Sequence, residues 1–67
     1  MSPILKYFSY EHLPPKLQEI SKSFYELAVD YDGKFIGPEK EVGMRKLLEG
    51  KDCFVRAALN ESVEGLE

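Results

Sequence analysis

Beyond Pro14 and Pro15, the apolar residues Leu17, Ile20, Phe24, Leu27, Ala28 and Tyr31 recur at steps of three and four. That spacing sets them on one face of an α-helix and predicts an amphipathic helix over about 14–30. Leu13 extends the stripe one turn upstream, and Lys16, Glu19, Lys22, Glu26 and Asp30 take the other face or its flanks. The two prolines suit a helix start, where the missing N–H would have no partner in any case. Asp32-Gly33 and Gly37-Pro38 are turn signals and predict a loop over 31–38. Pro38, with the acids Glu39 and Glu41, marks a second start, since acids favour the positive end of the helix dipole. The second helix is expected over about 39–60. Two helices joined by so short a loop are most simply antiparallel neighbours. Residues 1–12 show no helical period and read as an extended or short-turn lead-in, with Tyr7, Phe8 and Tyr10 available for packing. The tail 61–67, around Gly65, is expected to fray. The fold class is therefore all-α: a single domain over 1–67, with no internal repeat.

The second helix carries three unusual features. At about 100° per residue, Met44, Leu47, Leu48, Phe54, Val55, Ala58 and Leu59 share a face, and Lys51 falls in its middle. An uncompensated buried ammonium costs several kcal/mol, so Lys51 must snorkel, pair with an acid from a neighbouring chain or meet an anionic ligand. Gly50 stands in mid-helix, at a cost of roughly 1 kcal/mol relative to Ala. With Cys53 and Ala57 it forms a small-residue stripe that admits either a close helix or a flat ligand. Arg45, Glu49, Asp52 and Arg56 lie on a different face, spaced for the ion pairs Arg45–Glu49 and Asp52–Arg56. Arg56 sits among apolar and small neighbours, a setting suited to phosphate or carboxylate recognition at an interface.

Composition narrows the classes of function. Sixty-seven residues support one small core, which is marginal alone. The usual reinforcements are a disulfide framework, a structural metal or a partner chain. One cysteine, Cys53, makes no intrachain disulfide, and one Cys with one His, His12, supplies too few zinc ligands. Self-association is the expectation that remains, and no metal or other cofactor is expected. The net charge is −3, with the acidic excess contributed by Glu61, Glu64 and Glu67. A neutral body without a basic stripe argues against binding DNA or RNA polymers, while a few converging cations can still hold a small anion. No apolar run approaches the roughly 18 residues of a membrane span, and no basic and apolar leader stands at the start. A lone cysteine fits a reducing compartment, so a cytoplasmic protein with no membrane association is expected.

Catalytic patterns are absent. Gly33 and Gly37 match no phosphate-loop spacing, and a Cys–His pair would need His12 to reach a cysteine set among packing residues. No enzymatic activity and no catalytic residue is expected. His12, beside the prolines, reads as a surface or helix-start residue, or as part of a pocket lining in an oligomer.

Two stretches, Tyr10-Glu11-His12-Leu13-Pro14-Pro15-Lys16-Leu17-Gln18 and Arg45-Lys46-Leu47-Leu48-Glu49-Gly50-Lys51-Asp52-Cys53-Phe54-Val55-Arg56-Ala57, resemble the small phage-associated helical proteins of the anti-CBASS sponge family. The resemblance implies a non-enzymatic protein that binds the cyclic oligonucleotide messengers of bacterial antiphage signalling and holds them intact. It implies a compact homo-hexamer with cyclic dinucleotides between paired chains and cyclic trinucleotides where three chains meet. The family's glycine and the arginine six residues later match Gly50 and Arg56, and Lys51 joins them as a trinucleotide candidate. For the dinucleotide pocket the resemblance implies an N-terminal aromatic and a lysine of the first helix: Tyr10 and Lys22, with Tyr7 and His12 as substitutes. The competing expectation is a helical-hairpin interaction module, an adaptor or antitoxin-like oligomer using the same apolar faces.

Overall fold

The computed structural model describes residues 2–64, with side chains as far as Asn60. A 3₁₀ helix, Pro3–Phe8, leads into α1, Pro15–Lys34, and α2, Pro38–Glu64. The described residues are helical throughout their regular structure, and the two long helices pack against each other. Nested contacts fix their sense. Lys40 meets Asp32 near the turn and Phe54 meets Phe24 further away, so α2 runs back along α1.

The lead-in is helical where the sequence pattern pointed to an extended or turned segment. A 3₁₀ helix has three residues per turn, so Leu5 and Phe8 fall on one line. Both are buried, and Tyr7 between them points outward, 57% exposed. The pattern was too short to register as a helical period. Its end is closed by the Ser9 N–H, which donates to the Lys6 carbonyl at 3.3 Å.

Helix α1 starts where the prolines predict. The Leu17 and Gln18 N–H groups donate to the Pro14 carbonyl at 2.9 and 3.0 Å, and the Gln18 side-chain amide reaches back to the Leu13 carbonyl at 2.7 Å. Its end corrects the expected boundary. The helix passes through Asp32-Gly33 to Lys34, and the turn is Phe35-Ile36-Gly37 alone. Gly33 in a helix costs roughly 1 kcal/mol, but this last turn is held from outside. Asp32 is gripped by Ser2 and Lys40, while Lys34 pairs with Asp30 at 3.0 Å beside the negative end of the helix dipole. Gly37, at φ 108°, supplies the left-handed conformation that the turn requires. Glu39 and Glu41 then occupy the first turn of α2 as expected. Fraying was expected from residue 61; α2 instead continues to Glu64, and 65–67 lie outside the described residues.

The core lies where the three helices converge. Leu5 and Phe8 of the 3₁₀ helix meet Ala28 of α1 and Met44 of α2, with Phe24, Tyr25 and Leu48 packed around them. Ala28 is fully buried among Leu5, Phe8 and Met44, and a larger side chain would force this packing apart. The buried line of α1 is Leu17, Ser21 and Ala28, rotated from the predicted stripe, so that Leu27 and Tyr31 are exposed. On α2 the buried residues are Met44 and Lys51, while Phe54 and Leu59 of the predicted face are exposed. The 3₁₀ helix explains the rotation. It covers one side of the hairpin and draws that side into the core, and it leaves the opposite side bare.

One polar cluster pins the lead-in to the hairpin end. The Ser2 hydroxyl donates to Asp32 Oδ1 at 2.5 Å and accepts from Lys40 Nζ at 3.2 Å. Lys40 Nζ also lies 2.9 Å from Asp32 Oδ1, with both side chains about one-tenth exposed. These bonds hold the Asp32 carboxyl down to about 2, the Ser2 hydroxyl being the largest cause and Lys40 the next. The same carboxylate raises Lys40 above its ordinary value.

Candidate functional site

Gly50, Lys51 and Arg56 all lie on α2, and each is in a different situation. Lys51 occupies the centre of the buried face at 9% exposure. Its ammonium is compensated within the chain, because Nζ lies 3.0 Å from Asp52 Oδ1. Asp52 is half-exposed, so the lysine threads its aliphatic stem past the core and meets the acid at the rim. The partner is the next residue in sequence.

That pairing changes the fate of Arg56. The ion pairs expected for Asp52–Arg56 and Arg45–Glu49 do not form among the described residues. With Asp52 turned to Lys51, the exposed Arg56 guanidinium has, among the described residues, only a hydrogen bond from Nη2 to Cys53 Sγ, at 3.3 Å. A thiol is a weak acceptor, so most of the five donors of the guanidinium fork are available to a phosphate. Gly50 has open space in front of it: a Cβ built there would meet nothing within 4 Å. No packing within the chain requires a glycine at this position. The six-residue step between Gly50 and Arg56 turns them about 120° apart around the helix. A single chain therefore does not bring them onto one surface.

The N-terminal candidates separate as well. Tyr10 lines an open groove of about 410 Å³ between the 3₁₀ helix and α1, together with Lys6, Ser9, Glu11 and Tyr25. The rings of Tyr10 and Tyr25 stand 5.5 Å apart at 58°. Lys22 is outside the lining; it stands one turn before Tyr25 and faces Glu26 at 4.0 Å. Tyr7 is exposed beneath Lys6 Nζ, 5.2 Å from the ring centre, and His12 is exposed in the turn before α1. The cation that lines the groove is Lys6, and Tyr25 stands in it as a second aromatic beside Tyr10. Neither stands out in the sequence, because Lys6 lies in a segment without a period and Tyr25 lies beside the apolar stripe.

A second groove, of about 590 Å³, opens at the hairpin end between Tyr31 and Phe35 on one side and Gly43 and Leu47 on the other. Its lining is almost wholly apolar, with Glu39, Lys40 and Lys46 at its edge. Among the described residues there is no cluster of His, Cys, Asp or Glu able to hold a metal ion. No described helix is long and apolar enough to cross a membrane. No protein family, curated protein or solved structure matches the chain.

Proposed function

We propose that this protein binds cyclic oligonucleotide second messengers, dinucleotides and also trinucleotides, and sequesters them without cleavage. In this reading it is a phage protein that blocks CBASS antiphage signalling in the cytoplasm of the host bacterium. It acts as a homo-hexamer and not as an enzyme. The observation that carries the reading is Arg56: exposed, set among apolar and small residues, and without a carboxylate partner among the described residues because Asp52 is committed to Lys51. A cyclic oligonucleotide offers such a guanidinium a phosphate, and the open space before Gly50 admits a flat group against the helix backbone. Because the two residues point about 120° apart, the trinucleotide site takes Gly50 and Arg56 from different copies. Tyr10 and Tyr25, with Lys6 beside them, supply base stacking and a cation for the dinucleotide.

The apolar groove at the hairpin end favours a second reading, an adaptor-like interaction module. Melting the protein with a panel of cyclic di- and trinucleotides separates the two. A ligand present at 100 times its dissociation constant adds about 2.7 kcal/mol to stability. For a chain of this length that is a rise in melting temperature of roughly 10–20 °C. A flat response across the panel leaves the interaction module as the better reading.

A further inference from the structure

The hairpin has one face sealed by the 3₁₀ helix and one left bare. Tyr31, Phe35, Phe54 and Ile36 on the bare side are 44%, 54%, 59% and 93% exposed. Ile36 projects from the tip of the turn and forms the lip of the groove that it lines together with Tyr31, Phe35, Met44 and Leu47. Knob and hole therefore lie next to each other on the same surface, which is the arrangement a two-fold contact uses, since each copy presents both.

The charges at the rim choose the occupant. Glu39 and Lys46 border the groove, two helical turns apart, and neither has an ion-pair partner among the described residues. Gly43 lies midway between them on the same side of α2, with nothing within 4 Å of the place where a Cβ would stand. When two α2 helices cross antiparallel about an axis at Gly43, Glu39 of each copy meets Lys46 of the other, and the opposite charges pair twice. The glycine lets the two backbones approach at the crossing point, and the neighbouring apolar residues close over it. A partner with unrelated chemistry has no reason to match this spacing of one acid and one base about a glycine.

We propose that the bare face is a two-fold interface with a second copy of this chain, in which α2 packs antiparallel on α2 around Gly43, Glu39 pairs with the partner's Lys46, and Ile36 fills the partner's groove. The contact rests on the homo-oligomer of the proposed function and assigns it a surface; it needs no nucleotide, so it fails separately from the nucleotide binding.

Charge exchange is the test, read by light-scattering mass and sedimentation of the full chain. Wild type has the mass of an even number of copies. Glu39→Lys and Lys46→Glu each set like charges across the axis and halve that mass, while the double exchange Glu39→Lys/Lys46→Glu restores it. Ile36→Asp also halves the mass; its side chain is almost fully exposed in the single chain, so helical circular dichroism stays at the wild-type level. A wild-type monomer overturns the proposal, as do single reversals that leave the mass unchanged or a double exchange that fails to recover it. Melting shifts with cyclic nucleotides, measured on the same samples, report the ligand reading independently.

Discussion

The Asp52 carboxylate closes on Lys51, its neighbour in sequence, at 3.0 Å and not on Arg56 one turn later. This choice couples the core to the candidate site, because the acid that neutralises a buried lysine is the one that would otherwise have occupied the guanidinium. Asp52→Asn leaves Lys51 buried without its partner. Asp52 is half-exposed and water screens the pair, so the loss is about 1 kcal/mol or less. That corresponds to a melting temperature lower by up to roughly 4–8 °C. Adding Lys51→Met removes the charge and recovers the loss, as thermal unfolding of the two variants checks.

Gly50→Ala is expected to act in opposite directions on stability and binding. A Cβ there meets nothing, so the folded chain gains helix propensity and rises in stability by about 0.5–1 kcal/mol. The same methyl stands where the proposed ligand approaches, and trinucleotide affinity falls. Denaturant unfolding and calorimetric titration of one variant read both effects. A glycine kept only for packing would give the reverse stability result.

Arg56→Ala weakens trinucleotide binding and leaves dinucleotide binding near wild type, with stability changed by no more than about 0.5 kcal/mol for an exposed side chain. Arg56→Lys retains the charge but not the planar fork, and recovers only part of the affinity. Tyr10→Ala has the complementary pattern. Loss of one stacked base costs about 1–3 kcal/mol, which is roughly a 5- to 150-fold weaker dinucleotide complex. Titrations of each variant with each ligand class test the assignment.

Acid should release the lead-in. Asp32 titrates at about 2 in the folded chain against 3.8 ordinarily, held down first by the Ser2 hydroxyl and then by Lys40. A lowered carboxyl contributes stability that is full above its unfolded value and is lost as the pH falls through the folded one. The contribution therefore disappears between about pH 4 and pH 2. For Lys40 the sign is opposite: its raised value gives stability that is complete below the ordinary lysine range and is lost in strong alkali. In Asp32→Asn the acid limb of the melting-temperature profile flattens relative to wild type.

The Ser21 hydroxyl is fully buried and makes no hydrogen bond. An unsatisfied buried hydroxyl costs about 1–3 kcal/mol. Ser21→Ala keeps nearly the same volume and is expected to raise the melting temperature.

The helix pair, its antiparallel sense and the buried position of Lys51 were legible in the sequence because each rests on a long period or on position within one. The 3₁₀ helix was not, since two apolar residues three apart carry too little pattern to be recognised. The turn was misplaced for a related reason. Asp32-Gly33 is a turn signal locally, but the partners that keep Asp32 in a helix come from other elements, Ser2 from the start of the chain and Lys40 from α2. The rotation of the α1 stripe has the same cause: the 3₁₀ helix decides which side of the hairpin is covered, and the sequence pattern does not show that helix. At the candidate site, Arg56 and Gly50 were visible as residues that need an explanation. Tyr25 and Lys6 became visible only when the groove beside Tyr10 was formed.

Sequestration is tested most directly by the fate of the nucleotide. A cyclic di- or trinucleotide mixed with excess protein and passed through a membrane that retains the protein should vanish from the filtrate. After heat denaturation of the retained protein it should return in full and chemically unchanged. A nucleotide that remains in the filtrate, or that returns as a linear product, contradicts the account.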